Sequence, residues 1–296
     1  MPPQNQLMIS GFPDRAPRYH RGNLVNSARA EVGPLTVLLV ALFFYPASLW
    51  AQSEKTPGPI STDRPSASAG PGVVPRFALQ FEMGYGFGRS ESQDVSIDTQ
   101  GFPGLLLRFG VLETLEARLT MNGWSFKDAA TGDESGFNDI GVGAKWAIVS
   151  EKGPLPETSL LVEVNLPVGD PVFTDDFSNP KFLGLFTNQL SEQLSLTYNF
   201  GATIIRLKDE TSGERRVYEL PYTVMLSGSL GERWGWYGEL FGTIGLNAQT
   251  DRHSLQAGVT TLLNNVFQLD VRGGAGLVAD VPTWLAGAGV GIRLFH

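Results

Sequence analysis

The chain has 296 residues with 35 Gly, 18 Phe, 6 Trp, 7 Tyr and no Cys, which excludes disulfide frameworks and Cys-ligated zinc or iron–sulfur centres. Its net charge of −8 has the wrong sign for neutralising nucleic-acid phosphates, so no nucleic-acid partner is expected, and the composition is that of neither collagen nor a coiled coil. A mean hydropathy of −0.04 with this Gly and aromatic content suits an all-β chain.

The first predicted element is an export signal over residues 1–51. The run Leu35 to Ala51 (LTVLLVALFFYPASLWA) follows Arg15, Arg18, Arg21 and Arg29 and precedes the polar QSEKTPG. Its core has the length of a secretory h-region, Pro46 falls just before the cleavage zone, and Ala51 offers a cut before Gln52. Leu49 stands where a small residue is usual, and the n-region is long, as it would be if translation began further downstream. The alternative is an uncleaved anchor, but that needs roughly 20 apolar residues and this run is short and broken by Pro46. Cleavage would remove four Arg against two acids (Asp14 and Glu31) and leave a more acidic chain. No later run is long and apolar enough for a membrane helix, so any further bilayer crossing must use a closed β-barrel.

Residues 77–87 (FALQFEMGYGF) alternate strictly, with Phe77, Leu79, Phe81, Met83, Tyr85 and Phe87 on one face and Gln80, Glu82 and glycines on the other. Eleven residues exceed a common sandwich strand and match a tilted bilayer crossing of about 9–11. Phe81 is therefore expected to face lipid and Glu82 the lumen. The same period returns around Leu105–Val111, Leu115–Met121, Ile140–Ile148, Leu160–Leu166, Leu194–Ile204, Tyr218–Leu226, Trp236–Leu246, Leu255–Leu263, Phe267–Val271 and Trp284–Leu294, with a weaker case at 181–190. Counted together these predict twelve strands, an even number as a bacterial outer-membrane barrel requires, so the barrel is assigned to 77–296.

The links sort by parity. Long ones (RSESQDVSIDTQGFPG, KDAATGDESGFN, PVGDPVFTDDFSNP, RLKDETSGERR, GGAGLVADVP) alternate with shorter ones such as Leu112–Thr114, SEQ, GER and NN. Long extracellular loops and short periplasmic turns have this pattern. Aromatics fall near both rims, with Phe87, Phe182, Tyr218, Tyr222 and Trp284 at the outer one and Phe77, Trp146, Trp234, Trp236 and Phe295 at the inner one. Trp124 and Phe126 lie on the inward parity, so either a bulge near Gly123 flips them or they pack over the mouth. Pro221 removes a ladder donor inside a strand.

The inward parity collects Glu82, Arg108, Glu116, Arg118, Asp139, Lys145, Glu163, Glu239, Asp270, Arg272 and Arg293. These are the candidate pore-lining residues; the alternative is a salt-bridged interior that only holds the barrel in shape. Twelve strands at about 4.8 Å spacing and about 40° tilt give a backbone diameter of roughly 24 Å, which leaves roughly 10–12 Å between side chains. That width suits a small-molecule solute.

Catalytic groups are scarce. His20 leaves with the signal, and His253 and His296 lie near strand ends, with Ser254 beside His253 and on the opposite face. No catalytic, metal or cofactor-binding residue is assigned, and no enzyme is expected. The glycines of GAGVG (Gly287–Gly291) precede no helix, which disfavours a phosphate loop; on the inward face they read as close packing or lumen space. Asp133–Glu134 and Asp175–Asp176 read as solvated loop or as a cation site.

The opening Ser61–Phe87 (STDRPSASAGPGVVPRFALQFEMGYGF) resembles that of the MetA-pathway of phenol degradation family of outer-membrane transporters. The resemblance rests on the TDRP box at Thr62–Pro65, the small-residue spacer through Gly72, and Gln80, Phe81, Glu82 and Tyr85 of the first strand. It implies a barrel with a role in transport, often of aromatic compounds. A small-molecule solute, outer-membrane lipid and, during biogenesis, the barrel-assembly machinery are the partners expected of such a barrel. Residues 52–76 are expected to form a periplasmic segment leading to the barrel; the alternative is a plug folded into the lumen. A sealed structural or surface-binding barrel is the alternative function.

Overall fold

Strands alternating apolar and polar residues can satisfy their backbone in a bilayer only by closing into a ring. In the computed structural model, which describes residues 58–92, 95–129, 132–209, 213–247, 251–278 and 281–294, the chain does so. The predicted signal peptide, residues 52–57, Phe295 and His296 lie outside the described residues.

The strands are β1 (Leu79–Ser92), β2 (Val95–Leu112), β3 (Leu115–Met121), β4 (Trp124–Ala129), β5 (Glu134–Phe137), β6 (Ile140–Val149) and β7 (Glu157–Leu166). They continue with β8 (Asn179–Ser191), β9 (Leu194–Asp209), β10 (Gly213–Leu230), β11 (Trp234–Gly245), β12 (Arg252–Asn264), β13 (Phe267–Gly276) and β14 (Trp284–Leu294). Every strand pairs antiparallel with its neighbours, and β1 pairs with both β2 and β14 to close the ring. β3 and β4 both pair with β2, while β6 pairs with β3 and β5 with β4. β3 with β4, and β5 with β6, are therefore each one barrel strand with a break, and the ring has twelve staves.

The molecule is inside-out relative to a soluble domain. Glu82, Glu116 and Lys145 are fully buried inside the ring, whereas Trp146, Phe200 and Trp234 are exposed on its outer surface. In lipid that outer band is the apolar solvent contact, and the interior must pair its own charges.

The structure decides several points that sequence left open. Gly123, at φ 65°, breaks the β3–β4 stave and reverses its parity. Trp124 and Phe126 are consequently 43% and 51% exposed and Ser125 is 3% exposed, so the bulge reading holds and the aromatics face outward. Pro221 interrupts the β9–β10 ladder, in which neither Leu220 nor Pro221 is paired, yet it stays in register with Thr243 of β11. Two of the long polar links are largely strand: β1 and β2 run on to Ser92 and Val95, and β9 and β10 to Asp209 and Gly213. Beyond the bilayer neither face meets lipid, so hydropathy no longer marks the strand there. Short turns, Leu79 and Leu294 share one end of the barrel, the periplasmic end in bacterial barrels.

Candidate functional site: the lumen and its inserted segment

Residues 60–76 do not stay below the barrel as a lead-in; they run inside it. The amide of Ile60 donates to Asn265 O in the β12–β13 turn, and Arg293 donates to Gly58 O, which fixes the first limb at the periplasmic rim. The segment climbs past β13, β14 and β1, crosses to β11, β10 and β9, and descends past β7, β6, β3 and β2. It leaves at the same rim, where Arg76 bridges to Gly110 and the Phe77 amide donates to Gly110 O. A stretch rich in Ser, Ala, Gly and Pro has few side chains to obstruct such a path, but its exposed backbone groups need partners in the lumen.

The wall supplies them. Glu82 accepts from the successive amides of Asp63 and Arg64, Glu239 from those of Ala67 and Ser68, and Glu116 from that of Val74. Carbonyls are met by cations: Lys145 donates to Gly70 O and Gly72 O, Arg108 to Ser61 O and Gly72 O, and Arg272 to Pro65 O. Ser159 Oγ donates to Pro71 O at 2.6 Å, and the Asn199 side chain both donates to and accepts from Ala69. Ala69 also packs against the inward Leu161 and Leu185.

The TDRP box makes the ionic contacts. Asp63 lies 2.7 Å from Arg118, 3.4 Å from Lys145 and 3.7 Å from Arg108. Burial alone would raise its carboxyl, but the Arg108, Lys145 and Arg118 charges outweigh burial and hold it well below the usual carboxylate range. Arg64 pairs with Asp270 at 3.2 Å and lies over Gly84 and Gly289, where an added Cβ would come 2.2 and 2.3 Å from its guanidinium. Thr62 packs in the same way over Gly291. The glycines of the last strand therefore leave room for the box, in keeping with the close-packing reading.

Ten of the eleven residues collected from the inward parity lie on strands and turn their side chains to the inner face, and Asp139 lies between β5 and β6. Glu82, Arg108, Glu116, Arg118, Lys145, Glu239, Asp270, Arg272 and Arg293 meet the segment or the groups that hold it. Glu163 instead pairs with Lys181 at 2.7 Å. Asp139 accepts from Gly169, Thr174 and Asp175 and so pins the 167–178 loop to the wall. Parity extended above the bilayer would have added the buried pair Glu219–Arg252, 2.7 Å apart, and parity applied to uncharged side chains would have added Gln80, Ser159, Asn199 and Gln256. Asp63 and Arg64 carry no periodicity, so the sequence left lead-in and plug both open for their segment, and the hydrogen bonds above decide for the lumen.

The sequence profile of the family described as "Putative MetA-pathway of phenol degradation" matches residues 62–294. An outer-membrane channel from Pseudomonas putida F1 has a similar structure, with a TM-score of 0.62 at 12% identity over 75% of this chain and 97% of that one. The translocator domain of the autotransporter NalP from Neisseria meningitidis gives 0.50 at 13% identity over 73% of this chain and 88% of that one. Among curated proteins none matches the sequence. The closed barrel with its apolar outer surface sets the chain in the bacterial outer membrane.

Proposed function

The chain belongs to the MetA-pathway of phenol degradation family, and from the lumen it encloses we propose that it passes small organic solutes, aromatic compounds among them, passively across the outer membrane. The observation that carries this reading is a lumen wall whose acids and bases pair with one another: Arg108 with Glu82 and Glu116, Arg252 with Glu219, Lys181 with Glu163. Such a wall is polar without strong net charge, which suits a neutral solute that needs wetting but no counter-ion. In this reading the eleven inward charges line the conduit, export removes residues 1–51, and the barrel-assembly machinery inserts the rest.

The occupied lumen favours a second reading, a sealed barrel with a structural or surface-binding role. Planar-bilayer conductance of the mature chain, with swelling of liposomes in phenol-sized solutes, separates the two. Discrete conductance and solute uptake are expected for the channel; protein that is folded by heat-modifiable mobility yet silent in both assays would leave the sealed barrel.

A further inference from the structure

We infer that the β7–β8 link, residues 167–178, is a fixed constriction of the extracellular mouth with Asp139 as its positioning residue, and that, on the channel reading above, it limits the size of solute admitted to the lumen.

The wall leaves this link an edge to cover. Among the described strands β5 pairs only with β4, so its other edge offers Phe137 no ladder partner. Asp170 takes that place: its amide donates to Phe137 O at 2.8 Å, and its carboxylate accepts from the Phe137 amide at 2.7 Å. Gly136 shows on which side the link lies. It stands directly opposite Ser125, which is buried on the inner face, and directly opposite residues share a face. A Cβ at Gly136 would come 2.7 Å from the Phe173 ring and 2.9 Å from Asp170 Cβ, so the link fills the lumen side of β5.

Asp139, buried at the break between β5 and β6, holds the link in this place. One carboxylate oxygen accepts from the Gly169 amide at 2.9 Å and the Thr174 hydroxyl at 2.6 Å. The other accepts from the Asp175 amide at 2.8 Å and the Asn165 side chain at 2.9 Å. These four donors use the acceptor capacity of one carboxylate, and three of them belong to the link. Its far end is tied to β8 and β9: Asn179 donates to Asp175, and Arg206 donates to Ser178 O at 3.0 Å and lies over the Phe177 ring at 5.0 Å. Halfway round the twelve-stave ring the β13–β14 link also turns inward, with Val281 and Pro282 buried over the inward-facing Gly276. The mouth is thus narrowed from opposite sides. The residues that anchor the β7–β8 link are not those that hold the segment 60–76.

The test uses the full mature chain, which has no native Cys. Thr203 stands opposite Lys181 and Glu219, on the inner face below the link. T203C on intact cells is treated with maleimides of increasing size, and S135C, at an exposed position of β5, serves as the control that every reagent reaches. Labelling of T203C is expected to fall to background as the reagent grows. Asp139→Ala, added to T203C, should bring the large reagents to the level of the small ones. Gly169→Val should do the same with Asp139 intact, because a Cβ at Gly169 would come 2.7 Å from Phe137 O and push the link away. Heat-modifiable mobility reports that each variant is folded. Equal labelling of T203C by every reagent would overturn the constriction whatever the variants do, as would an unchanged size limit in folded D139A and G169V. Planar-bilayer conductance of the same proteins tests the channel reading by itself: silence beside a shifted size limit would strike that reading and leave the constriction of the mouth standing.

Discussion

At Asp63 the inserted segment meets Arg118, Lys145 and Arg108 at once. Asp63→Asn removes the charge and leaves a similar shape. The wall cations retain Glu82 and Glu116, so the barrel is expected to fold with a loss of at most about 3 kcal/mol, below the upper range for breaking a buried pair, and to open more often. Folding titrations in vesicles and single-channel recordings read the two effects separately. The pH dependence has a definite sign. A carboxyl whose folded pKa is depressed stabilises the folded state above its unfolded value and loses that contribution as pH falls through the folded one. Asp63 is held well below the usual range, so its contribution should persist down to about pH 4 and fade only below that. Opening in acid that sets in near pH 6, measured as conductance against pH, would have to come from another group.

Among the elements, β1 and β14 form the seam on which the box rests. Their inward glycines expose bare backbone, and Arg64 fills the space over Gly84 and Gly289. Gly289→Leu should push the guanidinium off the wall while the strand, its backbone ladder untouched, still closes the ring; more frequent opening with unchanged heat-modifiable mobility is the expected result. The opposite face of β1 meets lipid. Phe81→Arg is expected to cost about 2–4 kcal/mol of folding into vesicles near the bilayer midplane. Glu82→Gln is a different case, because Glu82 holds the amides of Asp63 and Arg64 as well as Arg108. It should fold and loosen the segment, and a neutral Phe81→Arg beside a severely destabilised Glu82→Gln would mean that the two faces are reversed.

For the whole molecule, the ring places the β9–β10 hairpin and the β8–β9 turn at opposite ends. A protease site within 207–216 should be cut on intact cells, and one within 191–193 only after the outer membrane is opened. Equal cleavage at both would contradict the orientation. Sequencing the N-terminus of the outer-membrane material should return Gln52 or a close neighbour.

Sequence by itself determined the parts governed by repetition. A period of two over eleven residues, as in 77–87, selects a strand and its lipid face, because each residue meets lipid or lumen regardless of what lies further away. Counting such segments predicts twelve strands, and link parity then indicates the direction of the chain. Where that local rule lapses, prediction lapsed with it: past the bilayer β1, β2, β9 and β10 continue without an apolar face, and at Gly123 parity alone left a bulge or packing over the mouth open for Trp124 and Phe126, of which the structure shows the bulge. The site was half legible in the same way. The inward charges followed from parity, but their partners did not, since Arg108 meets Ser61, Glu239 meets Ser68 and Asp270 meets Arg64 only across the closed ring. Only the tertiary structure decided that residues 60–76 enter the lumen. A Ser, Gly and Pro segment has no period of its own, and its place is set by wall carboxylates and cations brought together from strands far apart in the chain.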